Sequence, residues 1–543
     1  MGLPSLLVPG TALASPVQPP DFKKCTTPLD PGNGAPSVDC CLPVSTIITD
    51  YKIPNLPMRT RVSAHQVTPD YIAKYTEAYR RLRSLPSSDP RAYMMQANVH
   101  CAFCDNAYDE NGTAVDYQVH NSWFFFPWHR WYLYFHERIL ASLIGDDTFA
   151  LPFWNWDAPG GYTIPPMFDN PNSTLYDTKR NPLHRNPKVV DLDYSFSESN
   201  RTPQQQLQVN NSVMYRQMVT AAKTPSLFFG QSYRQGDSPG PGAGTVENTP
   251  HGTVHVWTGN PSNPNDEDMG TLYSAARDPI FFAHHGNVDR LWSIWKTLGG
   301  RRTDLTDSDY LQATFEFYDE NKNLVRVKIA DALQTENLRY NYQNVDIPWV
   351  RRTTTRSAVA TTFSGPGGGP SPAMAGPLKE KIKEKYRDFK KGLKEFKADL
   401  KDKMAGRKLE KTLKALVKRP RKVKAADFDE EILVIEGVQV ACDEKVKFDV
   451  YINLVDVDED KVGNDVAEYA GSFVNVPHTA MKMAETKKGL TDSRIRKSNF
   501  RLGIGDVLAD LDIEDDDDFA VTIVPRGKPN IPVSIDDIRL EYE

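Results

Sequence analysis

The spacing of apolar residues divides the chain into a helical part and a strand-like part. Apolar residues recur at helical spacing in DYIAKYTEAYRRLRSL, YMMQANVHCAFC, HRWYLYFHERIL, HGTVHVWTG and DPIFFAHHGNVDRLW. From Asp427 onward they alternate with polar residues, as in EEILVIEGVQV and EKVKFDVYINLV, with Gly, Pro and Asp between the runs. The chain is therefore predicted to be multi-domain, with a mainly α domain built on a four-helix bundle followed by a small antiparallel β-sandwich.

A linker is predicted between these two parts. The stretch RRTTTRSAVATTFSGPGGGPSPAMAGP is too poor in core-forming residues to fold on its own. Residues 378–424 are rich in Lys and Arg, with apolar residues near heptad spacing. They could form a solvated helical linker, a basic amphipathic helix on an anionic membrane, or a docking strap, and the first is favoured. The predicted boundaries are 21–350 for the α domain, 351–426 for the linker and 427–543 for the β-sandwich.

The N-terminal residues 1–20 carry a different signal. They lack charged side chains and contain a short apolar run that ends in Ala12-Leu13-Ala14. Such a run before small residues is typical of the end of a cleavable export signal, and it is too short to span a bilayer. The alternative is an unstructured tail.

Charge and cysteine content narrow the class of protein. The chain has 65 basic and 71 acidic residues, a net charge of −6, which argues against a dedicated nucleic-acid binder.

Four of the cysteines, Cys25, Cys40, Cys41 and Cys101, are consistent with disulfides that tie a coil-rich N-terminal arm to a helix. The sequence alone allows three pairings of four cysteines.

Histidine spacing points to metal chemistry. His251 and His255 are four residues apart, which places two imidazoles on one face of a helix. An HxxxH pair alone is a weak signal, but His100, His120 and His129 form a second cluster among aromatic residues. Two such clusters on apolar helices indicate two metals that face each other in a bundle core. The His251–His255 pair reads HGTVH and not HExxH, so it lacks the glutamate that serves as the general base of a zinc protease.

The donor set favours copper. Imidazole binds Zn, Cu, Fe and Ni, but di-iron bundles use Glu with Glu-x-x-His motifs, and blue copper sites need a Cys thiolate. A site built from neutral imidazoles alone therefore fits a pair of copper ions best.

Several motifs occur in a recognisable order: HCAFC, FFPWHRWYLYFHER, LPFWNWD, HGTVHVWTG, DPIFFAHHGNVDRLW and KFDVY. Together they resemble the plant polyphenol oxidases, which are type-3 copper catechol oxidases and tyrosinases. The resemblance implies oxidation of o-diphenols to o-quinones with O₂ by a latent zymogen, whose C-terminal domain docks on its own catalytic domain and shields the site. It also implies a plastid protein of the thylakoid lumen, with residues 1–20 as a remnant of the transit segment.

The resemblance also implies roles for individual residues. The implied copper ligands are His100, His120 and His129 for the first ion and His251, His255 and His285 for the second. The implied covalent links are a Cys104–His120 thioether and the disulfides Cys25–Cys41 and Cys40–Cys101.

Further residues are implied around the copper pair. Glu247 lies one turn before His251 and either interacts with the helix dipole or holds a water and accepts a phenolic proton; the second role is favoured. Gly252 and Val256 follow two ligands of the second site, and Leu272 occupies the position of a gate above it. The residue that fills the site in the latent form is expected to be Phe473 or Val474.

Two alternatives stay open. A tyrosinase would also hydroxylate monophenols, but Gly252 has no side chain to hold a water or accept a proton, so diphenol oxidation is favoured. A haemocyanin-like O₂ carrier would use the same six histidines without catalysis. Under the favoured interpretation the partners are O₂ and small phenols.

Overall fold

A computed structural model describes most of the chain. It covers residues 15–26, 31–351, 384, 387–388, 407–409, 412–420, 430–454, 458, 462–478, 485–486, 489–490, 495–527 and 533–543. The α-helices are α1 (Pro69–Ser84), α2 (Tyr93–Cys104), α3 (Phe125–Ile144), α4 (Pro203–Tyr215), α5 (Pro225–Phe229), α6 (Thr253–Thr258), α7 (Ile280–Thr297), α8 (Ser308–Gln312) and α9 (Gly505–Asp510). A π-helical turn, Glu247–Gly252, leads directly into α6.

The strands fall mainly in the C-terminal part. They are β1 (Ile48–Asp50), β2 (Arg59–Arg61), β3 (Thr314–Tyr318), β4 (Leu324–Lys328), β5 (Tyr340–Tyr342), β6 (Arg407–Lys408), β7 (Leu413–Lys418), β8 (Glu431–Ala441), β9 (Val446–Ile452), β10 (Tyr469–Asn475), β11 (Glu485–Thr486), β12 (Gly489–Leu490), β13 (Ile495–Gly503), β14 (Asp518–Arg526), β15 (Ser534–Ile535) and β16 (Asp537–Tyr542). Within the described ranges, none of the helices combines the length and apolar character that crossing a membrane demands.

Local sequence signals define the ends of the long helices. Before α1, the Thr68 side chain accepts a hydrogen bond from the Tyr71 amide at 3.2 Å, and Pro69 occupies the first turn, where its missing N–H costs little. Helix α3 ends at Gly145, which adopts a left-handed conformation with φ of 69°. The chain can therefore turn sharply away from the bundle at the end of α3.

Buried ion pairs fix α3 against α7. The guanidinium of Arg130 on α3 donates from Nε to Asp289 of α7 at 2.5 Å, and it stacks 3.5 Å from the ring centre of Trp292. Arg130 follows His129 directly, and Asp289 lies one turn after His285. Since an unpaired buried charge is costly, this pair holds the two histidine-bearing helices in one register.

Two disulfides attach the N-terminal arm to the bundle. They join Cys25 to Cys41 and Cys40 to Cys101, which are the pairs implied by the family resemblance. Cys101 lies on α2, one residue after His100. The arm is thereby anchored at the helix that supplies the first histidine.

The C-terminal domain is an antiparallel β-sandwich, as the alternating pattern predicts. One sheet has the order β10-β9-β14-β7, and the other has the order β13-β8-β15-β6 with β16 also paired to β8. Phe448, Phe473 and Phe500 pack together between the sheets, with ring centres of Phe448 and Phe473 4.9 Å apart. This domain has its own core.

The linker predicted for residues 351–426 extends too far. Residues 407–408 and 413–418 are strands β6 and β7 of the sandwich, and Ala415 and Val417 are buried there. In β7 the sequence LKALVK alternates, with Ala415 and Val417 buried and Lys418 exposed, but this short alternation is hard to see among the many Lys and Arg residues of the stretch. Most of the basic segment, including its membrane-binding alternative, lies outside the described residues, as does the signal-like run before residue 15.

Candidate metal centre

The first cluster combines two helices and a loop. His100 lies on α2, Cys104 ends that helix, His120 lies on the loop that follows, and His129 lies on α3. Their candidate ligand atoms all lie within 4.8 Å of one another, and all four residues are buried. Helix packing alone therefore brings together side chains that are 29 positions apart in sequence (129 − 100).

The second cluster lies opposite the first. His251 lies in the π-helical turn, His255 on α6, and His284 and His285 on α7, again with ligand atoms within 4.8 Å. The rings of His129 and His285 stack with centres 4.2 Å apart, so the two clusters share one interior. This arrangement is the pair of facing sites that the histidine spacing predicts.

Backbone carbonyls fix the tautomers of four histidines. The Nδ1 atoms of His100, His129, His251 and His255 lie 2.7–2.9 Å from the carbonyl oxygens of Leu272, Phe125, Glu247 and Met269. A carbonyl can only accept a hydrogen bond, so each Nδ1 carries the proton and each Nε2 keeps its lone pair. This is the orientation that a metal-bound histidine requires.

Adjacent histidines on α7 differ in their contacts. The indole Nε1 of Trp156 donates to Nδ1 of His284 at 3.1 Å, which places the His284 proton on Nε2. Nε2 of His285 instead faces Nε2 of His255 at 3.3 Å. His285 therefore directs Nε2 toward another member of the cluster, whereas Nδ1 of His284 is occupied by Trp156.

The electrostatics of the interior keep the imidazoles neutral. Burial lowers the pKa of His129 to about 3 and that of His255 to about 4. Burial, together with neighbouring imidazoles, lowers the pKa of His100, His120 and His285 well below the usual value. Among the described residues, Nε2 of His100, His120, His129 and His251 has no hydrogen-bond partner. Neutral donors with unshared lone pairs, in two facing groups, fit a dinuclear copper site.

Glu247 lies at the edge of this interior. Its Oε1 accepts a hydrogen bond from the Asn121 amide at 2.5 Å, while Oε2 has no partner among the described residues. Burial raises the pKa of Glu247 to about 8. A buried carboxylate with one unused oxygen beside a metal site can hold a water or accept a proton.

The C-terminal domain covers the second cluster. A Cβ atom added to Gly252 would lie 3.1 Å from Cγ1 of Val474 and 3.3 Å from Cγ2 of Val476. The Leu272 amide donates to the carbonyl of Pro477 at 2.9 Å, and the Leu272 carbonyl is the acceptor for His100. Residues 474–477 therefore close the space above the histidines.

Of the two residues expected to fill the site, Val474 faces the catalytic domain beside Gly252 and Phe473 does not. The expectation for Phe473 is wrong, because its ring stacks on Phe448 inside the sandwich. Successive residues of a strand point to opposite faces, so Phe473 and Val474 cannot both face the catalytic domain. The pattern AGSFVNV does not reveal which face is which.

A buried ion network joins the two domains near residues 474–477, the segment that covers the histidines. Lys447 of β9 donates from Nζ to Asp193 of the catalytic domain at 2.8 Å and to Asp449 at 2.9 Å. The Lys447 side chain is 0% exposed. Arg526 of β14 bonds the other oxygen of Asp449 at 2.6 Å. Lys447 and Arg526 pair with Asp449 within the C-terminal domain, and docking adds Asp193 of the catalytic domain as a second partner of Lys447.

The structure brings the six implied ligands together with Glu247, Gly252 and Cys104. Val256 is buried on α6, one residue beyond His255, and the backbone of Leu272 links His100 to the cover. Sequence reasoning missed Trp156, Gln118 and Lys447. Their spacing gives no metal signal, although Lys447 lies inside the KFDVY motif.

Comparison with known families matches three successive stretches of the chain. Residues 90–298 match the common central domain of tyrosinase, and residues 304–355 match the polyphenol oxidase middle domain. Residues 405–542 match the chloroplastic polyphenol oxidase C-terminal domain, which agrees with strands β6 and β7 being part of the sandwich.

Individual relatives match at similar length. The chain is 47% identical to a chloroplastic polyphenol oxidase of Malus domestica, over 98% of this chain and 85% of that protein. It is 46% identical to aureusidin synthase of Antirrhinum majus, over 97% of this chain and 89% of that protein. The solved structure of latent apple tyrosinase superposes with a TM-score of 0.77 at 45% identity, covering 91% of this chain and all of that one (100%).

These likenesses agree with the geometry of the site. The tyrosinase-type domain contains both histidine clusters, and the C-terminal domain packs over them. The chain belongs to the plant polyphenol oxidase family, a family of copper-dependent oxidases.

Proposed function

We propose that the chain oxidises o-diphenols to o-quinones with dioxygen and that its C-terminal domain holds it in a latent form. The observation that supports this most strongly is the convergence of two histidine clusters in which Nε2 of His100, His120, His129 and His251 lacks a partner among the described residues. When bound, the copper pair supplies the two-electron exchange between dioxygen and the diphenol, which side chains alone cannot perform.

The proposed ligands are three histidines per ion. They are His100, His120 and His129 for the first copper and His251, His255 and His285 for the second. The hydrogen bond from Trp156 supports the choice between neighbours on α7, because it leaves a proton on Nε2 of His284 and so removes the lone pair that would face the metal.

A thioether between Cys104 and His120 is also proposed. Cys104 forms no disulfide within the described part of the chain, and it lies in the same 4.8 Å group as His120. The bond would restrain a histidine that no helix orients. Intact-mass measurement tests it, since the cross-linked chain is two hydrogen atoms lighter than the chain with a free thiol.

Glu247 is proposed to accept the phenolic proton. Its unpartnered Oε2 and its raised pKa suit a group that takes up a proton near neutral pH. Gly252 contributes open space for the aromatic ring, since a larger residue there would meet Val474 in the docked form.

Replacing Glu247 by Gln is expected to lower kcat for catechols by about 100-fold, within the range typical of general acid–base groups. The amide keeps an oxygen to accept the Asn121 N–H, so the loop geometry should survive. Stopped-flow or oxygen-electrode kinetics on the proteolytically activated protein, with copper measured in the same samples, provide the test. Loss of copper in Glu247→Gln would assign the residue a structural role instead.

Substrate range separates the two oxidase alternatives. Oxygen uptake is measured with 4-methylcatechol and with tyramine, before and after limited proteolysis of the copper-loaded protein. The proposal predicts a large rise on 4-methylcatechol after cleavage and none on tyramine. Uptake with tyramine would make the enzyme a tyrosinase, and full activity before cleavage would contradict latency.

A plastid location is proposed from relatives whose names specify chloroplastic proteins. The finer assignment to the thylakoid lumen is supported by the uncharged, signal-like residues 1–20. Import of the precursor into isolated chloroplasts, followed by fractionation, tests both: recovery in the stroma would contradict the lumen, and exclusion from the organelle would contradict the plastid.

A further inference from the structure

His120 differs from the other five proposed ligands in how it is oriented. It lies on a loop and not on a helix, and neither of its ring nitrogens has a hydrogen-bond partner among the described residues. His100, His129, His251 and His255 each have a backbone carbonyl at Nδ1, and His285 is carried by α7. Before any thioether forms, hydrogen bonds can therefore position His120 only through its backbone among the described residues.

Gln118 makes the contacts that set this position. Its Oε1 accepts a hydrogen bond from the His120 amide at 2.9 Å. Its Nε2 donates to the carbonyl oxygen of Cys104 at 2.9 Å and lies 3.5 Å from Oδ1 of Asn106. Gln118 is buried, with 3% of its surface exposed. One side-chain amide thus bridges the end of α2 and the backbone of His120.

Each of these bonds satisfies a group that would otherwise be costly to bury. The Cys104 carbonyl is one of the last four carbonyls of α2, which have no partner within the helix. The amide of buried His120 needs an acceptor for the same reason. An apolar residue at position 118 would leave both unsatisfied, so the loop would shift away from the helix end to reach other partners.

We propose that Gln118 is the positioning residue for His120, holding this ligand against Cys104 at the first copper site. The inference rests on the proposed role of His120 as a copper ligand. By fixing the end of α2 and the His120 backbone in one hydrogen-bonded unit, Gln118 sets both the direction of the imidazole and its separation from the Cys104 sulfur.

The same geometry controls formation of the thioether. That reaction joins Sγ of Cys104 to a carbon of the His120 ring and breaks the S–H bond and one ring C–H bond. Two electrons and two protons leave and pass to dioxygen, the co-substrate of the oxidase, which becomes hydrogen peroxide. Because a new bond requires close approach of its two atoms, a displaced loop slows this step.

The test replaces Gln118 by Met, which keeps the length of the side chain and removes both hydrogen bonds. The matched control is Gln206→Met, since Gln206 is a buried glutamine whose amide donates to Asp191 and Asn210 and accepts from Arg201, away from the histidines. Copper is titrated by competition with a chelator, and the cross-linked fraction is read from the intact mass.

Gln118→Met is expected to bind one of its two coppers at least about tenfold more weakly, as is typical when the outer partner of a metal ligand is lost. A substantial fraction of its chains should also be two hydrogen atoms heavier than the cross-linked wild type. Gln206→Met should keep both coppers and the wild-type mass pattern. Wild-type copper affinity together with complete cross-linking in Gln118→Met would overturn the inference.

A second variant keeps the inference testable if Gln118→Met does not fold. Gln118→Glu keeps an acceptor for the His120 amide and removes the donor to Cys104, so it should show the same two changes to a smaller degree. Wild-type behaviour of this variant would equally refute the role of Gln118. Failure of the proposed function is distinguishable, because it would appear in the wild-type chain itself, either as the absence of a second bound copper or as two bound coppers without catechol turnover.

Discussion

Replacing His285 by Gln is expected to abolish catechol oxidation, with a loss of more than about 100-fold in the activated enzyme. The reason is that one copper loses a direct ligand, which should exceed the 10–100-fold effects typical of outer partners. Nε2 of His285 lies 3.3 Å from Nε2 of His255, so these two residues would hold the second copper together with His251. The measurement is oxygen uptake with 4-methylcatechol, accompanied by copper analysis, which should fall from two ions per chain to one.

The neighbouring His284 provides the matched control. His284→Gln removes an imidazole from the same turn of α7 and the same buried interior. Because Trp156 donates to its Nδ1, His284 offers no lone pair at Nε2, so this variant should keep both coppers and most of its activity. If His284→Gln lost a copper and His285→Gln kept both, the ligand assignment would be reversed.

Replacing Lys447 by Met is expected to activate the uncleaved chain. Removing one partner of a buried ion pair typically costs about 3–5 kcal/mol, because the remaining charges stay buried without compensation. Here Asp193 and Asp449 would face each other across the domain interface without their shared cation. Arg526 would still pair with Asp449, and Arg201 would still lie 3.6 Å from Asp193, so the lower end of this range is expected. Docking of the C-terminal domain should weaken by at least about 100-fold, which follows from 1.4 kcal/mol for each factor of ten.

The measurement is oxygen uptake with 4-methylcatechol without protease, expressed as a fraction of the activity after cleavage. Lys497→Met is the control, because Lys497 pairs with Asp536 within the C-terminal domain and its side chain is 59% exposed. Exposed pairs contribute about 0–1 kcal/mol, so this variant should stay latent. Equal latency of both variants would show that the Lys447 network does not hold the cover in place.

Much of the architecture could be predicted from the sequence because local patterns determine it. The helices carrying His100, His129, His255 and His285 follow from apolar spacing, and the sandwich follows from alternation after Asp427. The end of the linker could not be predicted. Strands β6 and β7 are short and rich in Lys, and they are held in place by pairing with β15 and β14, residues 534–535 and 518–526, more than 100 positions away.

The site was predictable only as far as residue type indicates chemistry. Clustered histidines indicate a metal site, but Trp156, Gln118 and Lys447 act through hydrogen bonds that form only when the fold brings distant segments together. Lys447 and Asp449 alternate along β9, a pattern that normally predicts a solvent-exposed face. The catalytic domain covers that face, and the sequence of a single strand cannot reveal such a partner.

If the chain turns over o-diphenols at a copper pair held by its own histidines, oxygen uptake and quinone formation should be linked by a fixed ratio. Both are followed together in the activated, copper-loaded protein supplied with 4-methylcatechol. Sustained turnover is expected, with two quinones formed for each dioxygen consumed, the ratio required when dioxygen is reduced fully to water. Uptake that stops at one dioxygen per copper pair, without quinone, would instead identify an oxygen carrier.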